Sequence, residues 1–407
     1  MRIAMIIRLM PLTLAAAGCG GGSSPADAAA APPDVAGATE LAATAAGNPL
    51  PGSTADEVAR FQAGKAEFEA AETPAEGLGP VFNDNSCAAC HSVPATGGGS
   101  TRVETRFGAI AGGVFDPLAS LGGSLIQEHG IGIAGDCNYV GELVPAQGTL
   151  RSGRRTTPLF GLGLVDAVPD GAFGALAAFE RRFFPGEAGR VALVHDIAQN
   201  RDRPGRFGWK GQVPSLHQFA GDAYLNEMGI TSPEFPDENC PQGDCSLLRC
   251  NPLPTLNDDG SGPAAFQDFM TFLAAPTPGT VTTAIAHGRQ VFNVVGCNHC
   301  HAGTLVTGNS PSAALRQKAF HPYSDFLLHD MGSLGDGIAL GAAHGREFRT
   351  APLWGLHNLS TFLHDGRASS IPEAIQAHDG QARRAREAFR ALRPGDRSDL
   401  LQFLGSL

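Results

Sequence analysis

Cys87-Ala88-Ala89-Cys90-His91 and Cys297-Asn298-His299-Cys300-His301 decide how this chain is read. In each stretch, two thiols separated by two residues can add to the two vinyl groups of one haem. The His that follows directly then falls under the iron as its proximal ligand. A single copy would also suit a redox dithiol or half a zinc site. Two copies, each ending in His, point to two covalently attached haems c and to a protein that moves electrons between two irons. Cys87, Cys90, His91, Cys297, Cys300 and His301 are the expected cofactor-binding residues.

A chain of 407 residues has room for two domains and a tether. Charged residues are 17% and aromatics 7%, whereas Gly (53) and Pro (29) are plentiful, so long loops around a modest helical content are expected. A formal charge of −11 argues against nucleic acid, which needs a basic surface, and permits a neutral or basic electron donor. At the start, Arg2 precedes an apolar stretch that ends in Leu14-Ala15-Ala16-Ala17-Gly18-Cys19. The stretch is too short to span a bilayer, and small residues before a Cys suit a lipoprotein signal over residues 1–19, with Cys19 lipidated. An ordinary secretory signal with an incidental Cys is the alternative. Residues 20–55 lack bulky apolar groups and read as a flexible linker. The expected location is the periplasm, with membrane contact through the N-terminal lipid only. Four cysteines remain: Cys137, Cys240, Cys245 and Cys250. In an exported chain they suggest two disulfides, with three connectivities open and reduced thiols as the alternative.

Residues 54–72 read as a helix, with Thr54 and Glu57 forming a capping box and Val58, Phe61, Lys65 and Phe68 near one face. The Gly-rich loop Ser92–Gly99 can pass close to a haem edge because it lacks bulky Cβ groups. Residues 100–260 suggest irregular loops, short helices and a small hairpin. Helices are expected over 263–275 and 280–295, separated by the breaker Pro276-Thr277-Pro278-Gly279, and near 371–378, 381–392 and 396–405. The last should cross the 280–295 helix. The expected fold class is mainly α, with two class I cytochrome c-like haem domains. These are 56–275, peroxidatic and carrying long loops and insertions, and 276–407, the electron relay.

Three stretches resemble the bacterial di-haem cytochrome c peroxidase superfamily, most closely its di-haem oxidoreductase branch, whose members are often labelled thiol oxidoreductases. They are Gly205-Arg206-Phe207-Gly208-Trp209-Lys210 with Ser215–Gln218 and Asn226–Gly229; Phe348–Leu356; and Phe362-Leu363-His364-Asp365-Gly366-Arg367 with Glu373–His378. With both haem motifs the resemblance covers about residues 55–407. It implies one haem with an open face for peroxide and one six-coordinate haem that relays electrons. By the same resemblance Glu227 lies over the open haem, where a carboxylate can move a proton between the peroxide oxygens. Gln218 would orient peroxide, and Trp209 would lie between the haems. At the position matching the peroxidases' ligand Met stands His378, which predicts a second haem ligated by His301 and His378, with a lowered potential. Met331 is the rival ligand. His364 and Arg367 are expected to hold a turn or a haem propionate, and His129 is a weaker candidate for closing the first haem.

The chain also departs from the resemblance. The stretch Thr157-Pro158-Leu159-Phe160-Gly161 lacks the Asn that helps hold an inter-domain calcium, which makes calcium doubtful. The segment between Gly108 and Arg155 has no clear counterpart. The expected activity is reduction of hydrogen peroxide or a similar small oxidant, with electrons from a small soluble donor resembling cytochrome c or a cupredoxin. Alternatives are a non-enzymatic di-haem electron carrier, or an oxygenase or protein-oxidising enzyme on the same scaffold.

Overall fold

The computed structural model describes residues 37–253 and 256–407. The expected export signal, Cys19 and the first part of the linker lie outside the described residues. Ten α-helical segments follow along the described chain: α1 (Ala55–Glu69), α2 (Cys87–Cys90), α3 (Leu162–Asp166), α4 (Asp170–Phe183), α5 (Leu216–Met228), α6 (Ser261–Phe272), α7 (Thr283–Val294), α8 (Ile371–Ala377), α9 (Arg383–Ala391) and α10 (Pro394–Leu404).

The Thr54 hydroxyl accepts from the Glu57 N–H at 3.2 Å, and Glu57 Oε2 accepts from the Thr54 N–H at 2.7 Å. This is the expected capping box, and it fixes the start of α1. The helix then buries Phe61 and Phe68 against α6, with both rings packed on Phe269 at 5.3 and 4.9 Å. Gly64 sits at the crossing, where a Cβ would lie 2.1 Å from the Ala265 carbonyl oxygen. The second half repeats the device. α7 crosses α10 at Gly288, where a Cβ would lie 2.0 Å from the Asp399 carbonyl oxygen. Four residues on, Phe292 packs edge-on against Phe403 at 5.4 Å. Gly-x-x-x-Phe thus recurs ahead of each Cys-x-x-Cys-His, and each Phe stands beside the motif's His, with ring centroids 6.1 Å apart for Phe68–His91 and 6.4 Å for Phe292–His301.

Two main apolar cores result. The first gathers Phe61, Phe68, Phe173, Leu216, Phe266 and Phe269; the second gathers Val291, Phe292, Leu356, Leu400 and Phe403. Leu305, Phe320, Phe326 and Leu327 lie beyond the expected boundary at 276 yet pack in the first core. The breaker therefore separates the helices but not the cores. The linker expectation also needs correction. Thr39 and Glu40 pair in parallel with Lys318 and Ala319, and Leu50 is buried, so the chain is seated on the body well before residue 55.

The expectation of a mainly α chain holds only for the cores. Strand Val103–Ala111 pairs antiparallel with Val114–Asp116 on one side and Leu150–Arg155 on the other, within the stretch expected to be irregular. Val103, Thr105 and Phe107 alternate with Glu104 and Arg106, a period-two pattern that specifies a strand. Disulfide Cys137–Cys250 staples this insertion to the 240–250 loop, and Cys240–Cys245 closes a turn within that loop.

Candidate functional site

The first motif is built on one helical turn. Ser86 caps α2 by accepting from the Ala89 N–H at 3.2 Å, and the His91 N–H donates to the Cys87 carbonyl at 3.0 Å. His91 Nδ1 lies 3.0 Å from the Gly98 carbonyl oxygen. A carbonyl only accepts, so Nδ1 carries the hydrogen and Nε2 keeps its lone pair for a metal. The Ser92–Gly99 loop closes tightly enough to aim that carbonyl because Gly98 has no side chain; a Cβ there would sit 2.0 Å from the Val93 carbonyl oxygen. Burial pushes the His91 pKa down to about 4, which keeps the ring neutral and able to ligate.

Above the same segment stands Glu227 near the end of α5. Asn83 Nδ2 donates to Glu227 Oε2 at 2.7 Å, and Asn83 Oδ1 accepts from the Glu128 N–H at 2.9 Å, so the amide is fixed. Burial lifts the Glu227 pKa well above the usual carboxylate range. The neighbouring Glu104 carboxylate adds to this, while the Asn83 hydrogen bond and Arg106 oppose it. The Glu227 and Glu104 carboxyl groups stand within hydrogen-bonding reach of each other, and burial raises the Glu104 pKa too. Both carboxyl groups are close enough to act on the Cys90 thiol. Glu104 was not among the expected site residues. It comes from the inserted strand, opposite Arg154 in register.

Gln218 does not join this group. Its Oε1 accepts from the Ile197 N–H at 2.9 Å and its Nε2 donates to the His195 carbonyl at 3.2 Å, so the amide clamps the hairpin Leu193–Pro204. The reason is helical phase. Nine residues at about 100° each place Gln218 and Glu227 on opposite faces of α5. His129, the other candidate near the first haem, is exposed, with its ring against Phe82 at 5.7 Å.

The second motif faces a cavity. His301 Nδ1 is 2.9 Å from the Tyr323 carbonyl oxygen, and His378 Nδ1, at the end of α8, is 2.8 Å from that of Ala374. Both rings therefore offer Nε2, and both line one cavity walled by Phe292, Leu356, Phe362, Ile371 and Ile375. Burial, aided by the nearby His378, pushes the His301 pKa down to about 4; burial likewise lowers that of His378. Met331 lines the same cavity. Trp209 forms part of its wall, half-buried, donating its indole N–H to the Arg155 carbonyl at 2.9 Å. His364 also lines it, stacked on Phe348 at 4.2 Å, whereas Arg367 pairs with Asp365 at 2.5 Å and holds the turn.

These residues fit haem. Cys87, Cys90, Cys297 and Cys300 are unpaired thiols. Burial lifts Cys87, Cys90 and Cys297 to about 12, far from the low values of reactive redox dithiols. In the second cavity, Arg155 Nε and His364 Nε2 are buried with no hydrogen-bond partner among the described residues. Burial pushes the Arg155 guanidinium down to about 10, with no carboxylate among the described residues to offset it. Such groups are costly unless an acceptor completes them, and a haem's propionates would supply one.

The family model described as "Di-haem oxidoreductase, putative peroxidase" matches residues 142–407. No curated protein matches the chain. Among solved structures the chain is similar to hydrazine synthase of Kuenenia stuttgartiensis, at 15% identity over 98% of this chain and 100% of that one, with a TM-score of 0.37. It is also similar to a MauG-like protein associated with microbial copper homeostasis, at 14% identity over 90% and 93% of the two chains, with a TM-score of 0.39. A third is the diheme peroxidase BthA from Burkholderia thailandensis, at 15% identity over 89% and 87%, with a TM-score of 0.40.

Proposed function

The chain belongs to the di-haem oxidoreductase family and so has a di-haem redox function, and we propose that it is an exported, lipid-anchored c-type enzyme that reduces hydrogen peroxide or a similar small oxidant. In this reading Cys87/Cys90 and Cys297/Cys300 attach the two haems, and the chain forms two cytochrome c-like units around them. A small soluble donor would supply the electrons; His301 and His378 would hold the second haem and His91 the first, with Trp209 on the path between them. The observation that carries the reading is the inequality of the two sites. The second pairs two tethered imidazoles across one apolar cavity; the first sets a buried carboxyl with a raised pKa, Glu227, beside its motif.

When bound, the haems would pass on the donor's electrons and, at the first site, would bind and activate the oxidant. The chain's own residues manage the protons. Reduction of one peroxide to two waters takes two electrons and two protons. A proton must leave one peroxide oxygen and another must reach its partner as the O–O bond breaks. Glu227 holds the proton to be given, and the Glu104 carboxylate can accept the one to be removed. The hydrogen bond between them passes a proton back, so the pair ends as it began, and the two protons consumed overall come from solvent water. General acid–base help of this kind contributes roughly 10²–10⁴-fold. Asn83 holds Glu227 in place throughout.

Electronic and EPR spectroscopy of the purified mature protein test the reading. A high-spin ferric haem beside a low-spin bis-His haem is expected; two low-spin haems in every redox state would sink the enzyme and leave an electron carrier. His378→Ala should turn the low-spin haem high-spin. If Met331→Ala does so instead, the ligand assignment is wrong.

A further inference from the structure

His329 lies two residues before Met331 and has no part in the reading so far. It is 2% exposed, and Asp325, four residues earlier, is fully buried. Both ring nitrogens face acceptors: Nε2 is 2.9 Å from Asp325 Oδ2, and Nδ1 is 3.0 Å from the Glu187 carbonyl oxygen. The carbonyl cannot donate, so Nδ1 carries a hydrogen. Imidazole is a far stronger base than a carboxylate, so Nε2 carries the other. The residue is an imidazolium buried against a carboxylate. Burial opposes that charge, while Asp325 favours it by its own charge and by its hydrogen bond. With Cys300 in a thioether, the Asp325 contribution remains.

The pair is pinned to the second motif. His329 Nδ1 is 3.5 Å from Cys300 Sγ, and the Asp325 N–H donates to the Cys300 carbonyl at 2.9 Å. The cationic end therefore meets the sulfur. Three other ionisable side chains lie close by. Glu180 is buried, with its pKa raised to about 8 by burial and by Asp325, and is neutral at neutral pH. Arg349 acts on Asp325, and the Glu187 carboxylate is taken up by His299 and Arg384.

We propose that the buried His329–Asp325 ion pair tunes the potential of the second haem, its cationic end at Cys300 favouring the reduced state. The proposal rests on the reading of the second site as a six-coordinate relay. An electron added beside a fixed positive charge in a low-dielectric interior is stabilised. Bis-His ligation lacks the thioether that raises a haem potential, and the imidazolium offsets part of that loss.

The test is spectroelectrochemistry of the haem-loaded His329→Gln variant. The midpoint potential of the low-spin haem should move to more negative values while its optical and EPR signature stays that of the unmodified protein. An unchanged potential overturns the proposal. So does loss of the low-spin signature, which would mean that His329 merely supports the fold. A second measurement needs no variant: nitrogen NMR of the reduced protein with labelled histidine should find both His329 nitrogens protonated at neutral pH, and a neutral ring there overturns the proposal. If the unmodified protein holds no low-spin haem, the relay reading fails, while the charge of His329 is still decided by the NMR.

Discussion

At the scale of single residues, the chemistry of the first site turns on which carboxyl keeps the proton. Glu104 raises the Glu227 pKa both by charge and by accepting its hydrogen bond. Glu104→Gln removes both effects. Glu227 should then ionise at lower pH, and the alkaline limb of the peroxide-turnover profile should move to lower pH, with the rate at its plateau down by roughly 10²–10⁴-fold. An unshifted limb would remove Glu104 from the mechanism. Glu227 was legible because it sits in a quotable stretch, Asn226-Glu227-Met228-Gly229. Glu104 was not, because its partner is 123 residues away in sequence, counted from Glu104 to Glu227, and only strand register and burial bring the two together. Gln218 shows the converse. It lies in the quoted segment Ser215–Gln218, one helix with Glu227, but helical phase turns it to the other side of α5.

At the scale of elements, the two helix crossings depend on glycine. Gly288→Ala would drive a Cβ to 2.0 Å from the Asp399 carbonyl oxygen, so α7 and α10 must separate. A loss of about 1–3 kcal/mol is expected in denaturant unfolding, with the Phe292 ring displaced from His301. Helix positions were legible: the capping box of α1 and the apolar faces of α6 and α7 are local patterns. The crossings leave a local trace too, in Gly64-x-x-x-Phe68 and Gly288-x-x-x-Phe292, a repeat that becomes readable once the contact is known. The strand Val103–Ala111 was obscured for a different reason. Its alternation is interrupted by Gly108, and flanking Gly- and Pro-rich stretches suggest loop.

At the scale of the whole molecule, buried charge holds the halves together. Asp336, 2% exposed, pairs with Arg154 and, at 3.1 Å, with Lys210, whose side chain is fully buried. Asp336→Asn would leave two buried cations without a carboxylate, and a loss of roughly 3–5 kcal/mol by thermal or denaturant unfolding is expected. Glu180 gives the stability a pH dependence of known sign. Its folded-state pKa is raised to about 8, so the folded chain keeps a proton that the unfolded chain releases near the ordinary carboxylate value. Stability from this group is full below that ordinary value and is lost as pH rises toward about 8. The unfolding midpoint should therefore fall over this range, and Glu180→Gln should flatten the fall. By itself the sequence determined the two haem motifs, the helices around them and the family likeness, because each is written in short-range spacing. The tertiary structure alone decided that Glu104 reaches Glu227, that the stretch before residue 55 is seated on the body, and that His329 is buried against Asp325 and Cys300. Each of these depends on packing between segments far apart in the chain, which sets burial and hydrogen-bond partners and leaves no local pattern.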